Sequence, residues 1–244
     1  MRTNLIRLPV FCLTLAFTEP AMARDGLIQI NAARAVAGGV TPTDTPGYPV
    51  TIDTSDSYLL TGDLVVASEN TTVVEITADR VTLDLNGFGI YGPVACFASP
   101  PTCFPGGGTG HGIHIQSNEV TIRNGSVKGN GADGISGSTA SQIRIESVDT
   151  GNNGRSCVNL GTVAVIRNTR AVRCALHGFE VLNSALLVDN IAVFNGGVGL
   201  ASSSSSEAKS GYRSNIFEFN STGTVSGNPV EVGPNICNGD TTCP

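Results

Sequence analysis

The stretch HGIHIQSNEVTIRNGSVKGN, residues 111–130, decides the fold because its pattern returns at a nearly fixed interval. Matching stretches begin at Asp133, Ser156 and His177 with DGISGSTASQIRIESVDTGN, SCVNLGTVAVIRNTRAVRCA and HGFEVLNSALLVDNIAVFNG. The steps between them are 22, 23 and 21 residues, and another unit follows from Val198. Each stretch holds short alternating apolar runs bounded by Gly, Asn, Ser or Asp, which is typical of β-strands.

A unit of this length, with two or three short strands, matches one coil of a parallel β-solenoid. Leucine-rich repeats are similar in length, but their regular leucine and asparagine pattern is missing. Asparagines recur near the strand ends, where they tolerate left-handed backbone and can bond to one another along the axis. We therefore expect a structural role for these asparagines: Asn124, Asn130, Asn152, Asn168, Asn190, Asn195 and Asn220.

Over about residues 58–230, the chain resembles right-handed parallel β-helix repeat proteins of the pectin-lyase-like fold, especially exported bacterial members. These proteins combine segments similar to DGLIQINAARAVAGGVTP, ITADRVTLDLNGFGIYGP and NICNGDTTCP. The resemblance and the period predict an all-β chain, a single-stranded right-handed parallel β-helix of about seven or eight coils. They imply no single function, because this fold hosts lyases, hydrolases, epimerases, adhesins and scaffolds.

The N-terminus has the order of a secretory signal peptide over residues 1–23. Arg2 and Arg7 flank a short apolar run, and Ala21-Met22-Ala23 forms a small-residue cleavage site. We expect a secreted, periplasmic or cell-surface protein, because no later apolar segment is long enough to span a membrane.

The expected organisation is an N-terminal cap over residues 24–57, a β-helix over 58–220 and a C-terminal cap over 221–244. Caps are expected because a solenoid otherwise leaves an open core and unpaired strand edges. The spacing of Leu27, Ile30, Ala33 and Ala37 predicts a short amphipathic helix in the first cap. The insertion at residues 94–110 is either a binding loop or a turn rich in Pro and Gly.

Six cysteines remain after the signal peptide, and an even number in an exported chain favours disulfides. Proximity suggests three local pairs, although six cysteines also allow other connectivities. A zinc site is the competing reading, but the chain has no C-x-x-C pair and its histidines lie elsewhere. The suggested pairs are Cys96–Cys103, Cys157–Cys174 and Cys237–Cys243.

The net charge of −6 and the presence of only two lysines, Lys128 and Lys209, argue against nucleic acid as a partner. The sequence identifies no cofactor. Calcium stays open, but the acidic residues are scattered singly rather than clustered as calcium requires. The metal requirement and the oligomeric state are not specified.

His111, Asp133, Ser156 and His177 occupy one position in four successive units. Because adjacent coils stack about 4.8 Å apart, these side chains should form a column. A carboxylate beside an imidazole can tune it for proton transfer or bind a metal with it. We therefore name His111, Asp133 and His177 as candidate catalytic residues, with a plain polar turn position as the alternative.

Two further patterns accompany this column. Gly110-His111-Gly112 locally matches a polygalacturonase motif, but the adjacent Asp-Asp pair that accompanies it is missing. Arg123, Glu146, Arg167 and Asp189 form an approximate second column in which opposite charges would stabilise the stack.

The leading hypothesis is a protein that binds extracellular polysaccharide along one face of the helix, with processing left open. One alternative is a non-catalytic structural or adhesin-like surface protein. Another is a polysaccharide lyase, hydrolase or epimerase with an atypical site. The absence of Trp and the presence of only four Tyr count against an aromatic platform for sugars.

Overall fold

The computed structural model describes residues 26–203, 205, 207–241 and 243, so the predicted signal peptide at 1–23 lies outside the described residues. The described chain winds through about eight coils of a parallel β-solenoid, as predicted. Each coil passes through three faces, called faces 1, 2 and 3 in their order within a coil. Face 1 is one sheet, and faces 2 and 3 form a second sheet joined through two long strands. No helix in this part is long and apolar enough to cross a membrane.

Face 1 has eight parallel strands: β2 (Val50–Ile52), β5 (Val74–Ile76), β10 (Ile113–Ile115), β12 (Ile135–Ser141), β14 (Val158–Thr162), β17 (Phe179–Val181), β20 (Val198–Ser202) and β23 (Gly223–Gly227). Face 2 contains β1 (Ile28–Ile30), β3 (Ser57–Leu60), β6 (Thr82–Asp84), the first parts of β11 (Thr121–Lys128) and β13 (Arg144–Gly151), β15 (Val165–Arg167), β18 (Leu186–Val188), β21 (Gly211–Arg213) and β24 (Val230–Glu231). Face 3 contains β4 (Leu64–Val65), β7 (Gly89–Tyr91), the second parts of β11 and β13, β16 (Arg170–Val172), β19 (Ile191–Val193), β22 (Ile216–Glu218) and β25 (Ile236–Cys237).

The core forms because alternate residues of each strand point inward. In β10, Ile113 and Ile115 are fully buried, whereas His114 between them is partly exposed. Parallel pairing stacks like on like from coil to coil, so Val158 of β14 pairs with Phe179 of β17. Burying one such large apolar side chain contributes about 1.5–3 kcal/mol. Stability therefore depends mainly on the inward positions, and the outward positions can vary.

Each of the three corners of the solenoid repeats a residue with left-handed backbone in successive coils. Asn and Gly adopt this conformation readily, but it costs other residues about 1–2 kcal/mol. The expected tolerance of Asn124, Asn152 and Asn168 is thus confirmed. The non-glycine positions are Arg80, Glu119, Gln142, Val163 and Ser184 at the first corner, Asn86, Asn124, Ser147, Asn168, Asp189 and Ser214 at the second, and Asn152, Arg173, Phe194, Phe219 and Asn238 at the third.

A separate set of asparagines forms buried ladders at the corners. Asn130 Nδ2 donates to Asn153 Oδ1 at 3.0 Å, and Asn195 Nδ2 donates to Asn220 Oδ1 at 2.9 Å. Between these pairs, Cys174 takes the ladder position, and its backbone N–H donates to Asn195 Oδ1 at 2.9 Å. A second ladder runs through Asn190, Asn215 and Asn235. The predicted axial bonding is confirmed for Asn130, Asn190, Asn195 and Asn220.

The N-terminal segment differs from the predicted cap. Residues 28–30 form β1, which pairs with β3, and the helix α1 spans only Ala32–Ala37. The alternation of Ile28 and Ile30 favours a strand, and the Asn31 side chain then caps the helix by accepting from the Arg34 backbone N–H at 3.0 Å. The helix buries Ala35. The expectation for Leu27, Ile30, Ala33 and Ala37 as its buried side is wrong, because Ile30 lies in β1 and the other three are exposed.

The coils extend beyond both predicted limits of 58–220. Strand β2 begins the first coil at Val50, and β23, β24 and β25 form an eighth coil that ends at Cys237. The tail beyond it folds back, because the Cys237 N–H donates to the Asp240 carbonyl at 2.7 Å. All three suggested cysteine pairs are disulfides in the structure: Cys96–Cys103, Cys157–Cys174 and Cys237–Cys243.

The column of alternating charges on face 2 is shorter than predicted. Arg123, Glu146 and Arg167 are in register, but the next residue in register is Val188. Asp189 instead occupies the left-handed corner position. Arg123 Nε also pairs with Asp84 Oδ2 at 2.9 Å. Asp84 lies one coil earlier, and this partner was not predicted.

Candidate functional site

The outer surface of face 1 carries two aligned columns of side chains, which we call the histidine strip. The first column lies two residues before each strand, and the second lies three residues further on, inside the strand. All three histidines of the chain belong to the strip. The first column is His111, Asp133, Ser156 and His177, and the second is Glu75, His114, Ser136, Asn159 and Glu180.

The backbone holds the first column in register. Gly112 N–H donates to the Asp133 carbonyl at 3.2 Å, and Cys157 N–H donates to the His177 carbonyl at 2.9 Å. The predicted stacking of the column is therefore confirmed. Its catalytic role stays a prediction.

Asp133 is a buried carboxylate, with its side chain 1% exposed. Its Oδ1 accepts from the Ser156 backbone N–H at 3.0 Å, and its Oδ2 accepts from Asn159 Nδ2 at 3.4 Å. Arg155 Nε lies 4.0 Å from Oδ1. These contacts fix the carboxylate but leave it little access to a polymer, so it can orient and tune its neighbours more readily than it can attack a sugar.

His111 faces this carboxylate, with Nδ1 3.8 Å from Asp133 Oδ2. That distance is too long for a hydrogen bond, and Nδ1 has no hydrogen-bond partner among the described residues. Burial lowers the pKa of His111, an effect that Asp133 opposes and that His114 and Arg155 reinforce. The imidazole is therefore neutral at neutral pH. If its proton lies on Nδ1, toward Asp133, then Nε2 can accept a proton.

His114 and Glu75 form a second, more open imidazole–carboxylate pair beside the first. The His111 and His114 rings stack with centroids 5.1 Å apart. His114 Nδ1 lies 3.5 Å from Glu75 Oε1, and Gln116 Nε2 donates to the same oxygen at 2.7 Å. The His114 and Glu75 side chains are 34% and 29% exposed. This pair can exchange protons with a ligand on the surface.

His177 is at the far end of the strip, three coils from His111, or about 14 Å at the usual strand spacing. Its Nδ1 accepts from the Val198 backbone N–H at 3.1 Å, so the ring links two coils. Burial lowers its pKa, and Glu180 opposes the effect. The structure thus brings His111 and Asp133 together but leaves His177 apart from them.

Four residues of the strip were not predicted from the sequence: Glu75, His114, Asn159 and Glu180. The same alignment contained the signal, because each of the last three lies three residues after a member of the predicted column. The signal was missed because the two positions compared in each coil fall on different faces, and the outward residue of the face 1 strand itself was not compared.

The insertion at 94–110 is a hairpin made of β8 (Ala95–Phe97) and β9 (Thr102–Phe104), joined by the Cys96–Cys103 disulfide. Both sulfurs lie about 4 Å from the Asn153 carbonyl oxygen, so the hairpin lies on the corner next to the strip. Phe97 and Phe104 are 64% and 78% exposed. The prediction against an aromatic platform counted only Trp and Tyr and left out Phe. Two exposed phenylalanines lie at this corner.

Within residues 26–203, 205, 207–241 and 243, no group of three or more His, Cys, Asp or Glu side chains is arranged to hold a metal ion.

A family model agrees with the architecture. The sequence matches the family described as "Right handed beta helix region" over residues 106–222. No curated protein matches the chain. A solved structure titled "Crystal structure of Agl-KA catalytic domain" is similar at 10% identity with a TM-score of 0.38. The alignment covers 72% of this chain and 42% of that chain, so this chain spans well under half of that structure.

Proposed function

We propose that this right-handed parallel β-helix protein binds acidic polysaccharide on the histidine strip and abstracts a proton from it, as a lyase or an epimerase does. The observation that carries the proposal is the pairing of His111 with Asp133 beside the pairing of His114 with Glu75. Two adjacent imidazoles, each facing a carboxylate, suit proton transfer rather than simple adhesion.

The carboxylates disfavour a hydrolytic mechanism. A glycosidase needs two carboxyl groups about 5–9.5 Å apart across the scissile bond. Asp133 is buried, and the accessible residues Glu75 and Glu180 lie four coils apart, about 19 Å. Proton abstraction needs no such pair, so it agrees better with the strip.

In the proposed reaction, His111 Nε2 takes the proton from the sugar carbon next to a uronate carboxylate. For elimination, the C–H electron pair forms the new double bond and the glycosidic C–O bond breaks. His114 in its protonated form donates a proton to the leaving oxygen, and the proton held by His111 then passes through solvent to restore His114. For epimerisation, the C–H electron pair is held on the uronate carboxylate as an enediolate, and a water on the opposite face of the ring donates a proton to the same carbon. His111 then gives its proton to the hydroxide that is left. Arg155 is 54% exposed and can pair with the substrate carboxylate.

The test incubates the full chain with a panel of polyuronates and neutral polysaccharides. Unsaturated sugars are followed by absorbance, inverted sugars by NMR and new reducing ends by a chemical assay. We expect unsaturated or inverted uronates. His111→Ala should lower the rate by about 10²–10⁴-fold, the usual contribution of a general base.

Arg144→Ala is the matched control, because Arg144 is an exposed side chain on face 2. It should leave the rate unchanged. Two results would contradict the proposal: no reaction with any acidic polymer, or a His111→Ala variant as active as the control. Either would favour the structural or adhesin-like alternative.

A further inference from the structure

A groove at the edge of face 3 concentrates positive charge in an otherwise acidic chain. We call it the basic groove, and it has a volume of about 170 Å³. Lys128, Arg170 and Arg173 line it around a single carboxylate, Asp149. The whole chain has a net charge of −6 and only two lysines, so this concentration is unusual for it.

Asp149 cannot neutralise the three cations of the groove. Lys128 Nζ contacts Asp149 Oδ2, and an Arg170 guanidinium nitrogen lies 3.8 Å from Oδ1. The Arg170 side chain is 56% exposed, which leaves further donors open to a ligand. No ion pair involves Arg173 within the described part of the chain. The groove therefore keeps an excess of positive charge, and the carboxylate orients Lys128 and Arg170.

An aromatic pair adjoins the groove. The Arg173 guanidinium lies 5.4 Å from the centroid of the Phe194 ring, which stacks on Phe219 with centroids 5.1 Å apart and planes within 9°. Phe219 is 60% exposed. Both phenylalanines have left-handed backbone, at φ values of 60° and 55°. This is the left-handed position that the third corner repeats from coil to coil, so the regular turn of the solenoid places the two rings one coil apart.

We infer that the basic groove and the aromatic pair form a second binding site, for an acidic glycan. A carboxylate or sulfate group of the glycan pairs with the groove cations, and the apolar faces of its sugar rings pack on the phenylalanines. This inference rests on the proposed function, because it takes the same class of polymer to be the substrate. The site lies on face 3 and the third corner and contains no histidine, so it anchors the polymer without reacting with it.

The test measures binding in the His111→Ala background, so that turnover does not erode the polymer. The probes are a polyuronate, a sulfated polysaccharide and a neutral glucan, each immobilised, with binding followed over a range of salt concentrations. The polymer that binds identifies the anionic group. Arg170→Ala combined with Arg173→Ala should weaken binding of that polymer by at least about tenfold and flatten its salt dependence.

Arg123→Ala combined with Arg144→Ala is the matched control. It removes the same charge from face 2, where the two side chains are 45% and 47% exposed. The control should bind as the parent does. Equal weakening by both double variants would overturn the inference, as would equal affinity for the neutral glucan.

Double-stranded DNA of matched charge separates glycan recognition from general attraction to polyanions, and binding as tight as that of the glycan would also overturn the inference. The two proposals fail separately. Product formation that does not need His111 contradicts the proposed function, whereas binding that does not need Arg170 and Arg173 contradicts the second site.

Discussion

Faces 1 and 3 belong to the same coils, yet their outer surfaces differ in kind. The outward strand positions of face 1 from β5 to β17 are polar or ionisable, and Ala201 follows them in β20: Glu75, His114, Ser136, Asn159 and Glu180. Those of face 3 in the later coils are mostly apolar, with Arg170 and Glu218 as the charged exceptions: Val172, Ile191, Val193, Ile216 and Ile236. The inward positions of the two faces are alike, because both carry large buried apolar side chains. Phe179 on face 1 and Phe217 on face 3 are both fully buried. Because folding constrains mainly the inner positions, the outer contrast points to two different uses.

The largest effect should be the same on both faces. Phe179→Ala on face 1 and Phe217→Ala on face 3 each remove a fully buried ring, and each should lower the free energy of unfolding by about 3–5 kcal/mol. Urea unfolding followed by circular dichroism measures both. A loss below about 1 kcal/mol on one face would show that the two faces do not depend equally on their buried apolar side chains.

Removing a carboxylate should destabilise the protein more on face 1 than on face 3. Asp133→Ala on face 1 leaves the Ser156 backbone N–H and the Asn159 amide without their acceptor in a buried place, which costs about 1–3 kcal/mol. Asp149→Ala on face 3 removes a carboxylate that is 33% exposed, and it should change stability by less than about 1 kcal/mol. Similar losses in the two unfolding curves would contradict the assignment of a buried, fixed carboxylate to face 1.

Lowering the pH should reduce the free energy of unfolding through face 1, where all three histidines lie. Burial lowers the pKa of His111 and of His177 in the folded chain, whereas an unfolded histidine titrates near 6.5. Well above pH 6.5 His111 and His177 are neutral in both states and contribute little to the pH dependence. Below it the unfolded chain binds protons first, so stability falls as the pH drops.

The free energy of unfolding, measured between about pH 7 and pH 5, checks this direction. The double variant His111→Gln, His177→Gln should lose most of the slope. A slope that survives the double substitution would assign the acid sensitivity to other groups.

The smallest effect concerns the aromatic pair beside face 3. Phe219→Ala removes the stack on Phe194 but keeps the left-handed backbone cost, so it should lose about 0.5–1.5 kcal/mol. Phe219→Gly loses the same stack and relieves the backbone, and it should be about 1 kcal/mol more stable than the alanine variant. An alanine variant at least as stable as the glycine variant would show that the left-handed backbone at this position is not strained.

The fold could be predicted because every coil repeats the same inner pattern. The steps of 21–23 residues from His111 to His177 set the coil length, and the parallel register follows from stacking like on like. The ends were less predictable, because a terminal segment has one neighbouring coil instead of two. For this reason Ile28 and Ile30, predicted as part of a cap, form a strand, and the coils continue beyond residue 220.

The site was predictable only in part. Aligning the coils identified His111 and Asp133, and it could also have identified His114. It could not show that Asp133 is buried or that the His177 ring accepts from the Val198 N–H, because these depend on side-chain directions at a corner. The pairing of Lys128 with Asp149 crosses from coil to coil between residues outside the aligned column.

The most direct test of the account is the imidazole NMR spectrum of the full chain, which contains only three histidines. The spectrum is recorded while an acidic oligosaccharide is added, and single histidine variants assign the signals. We expect the His111 and His114 signals to shift together and the His177 ring, bonded to the backbone of the next coil, to shift least. Saturating binding that shifts neither His111 nor His114 would show that the glycan does not occupy the histidine strip.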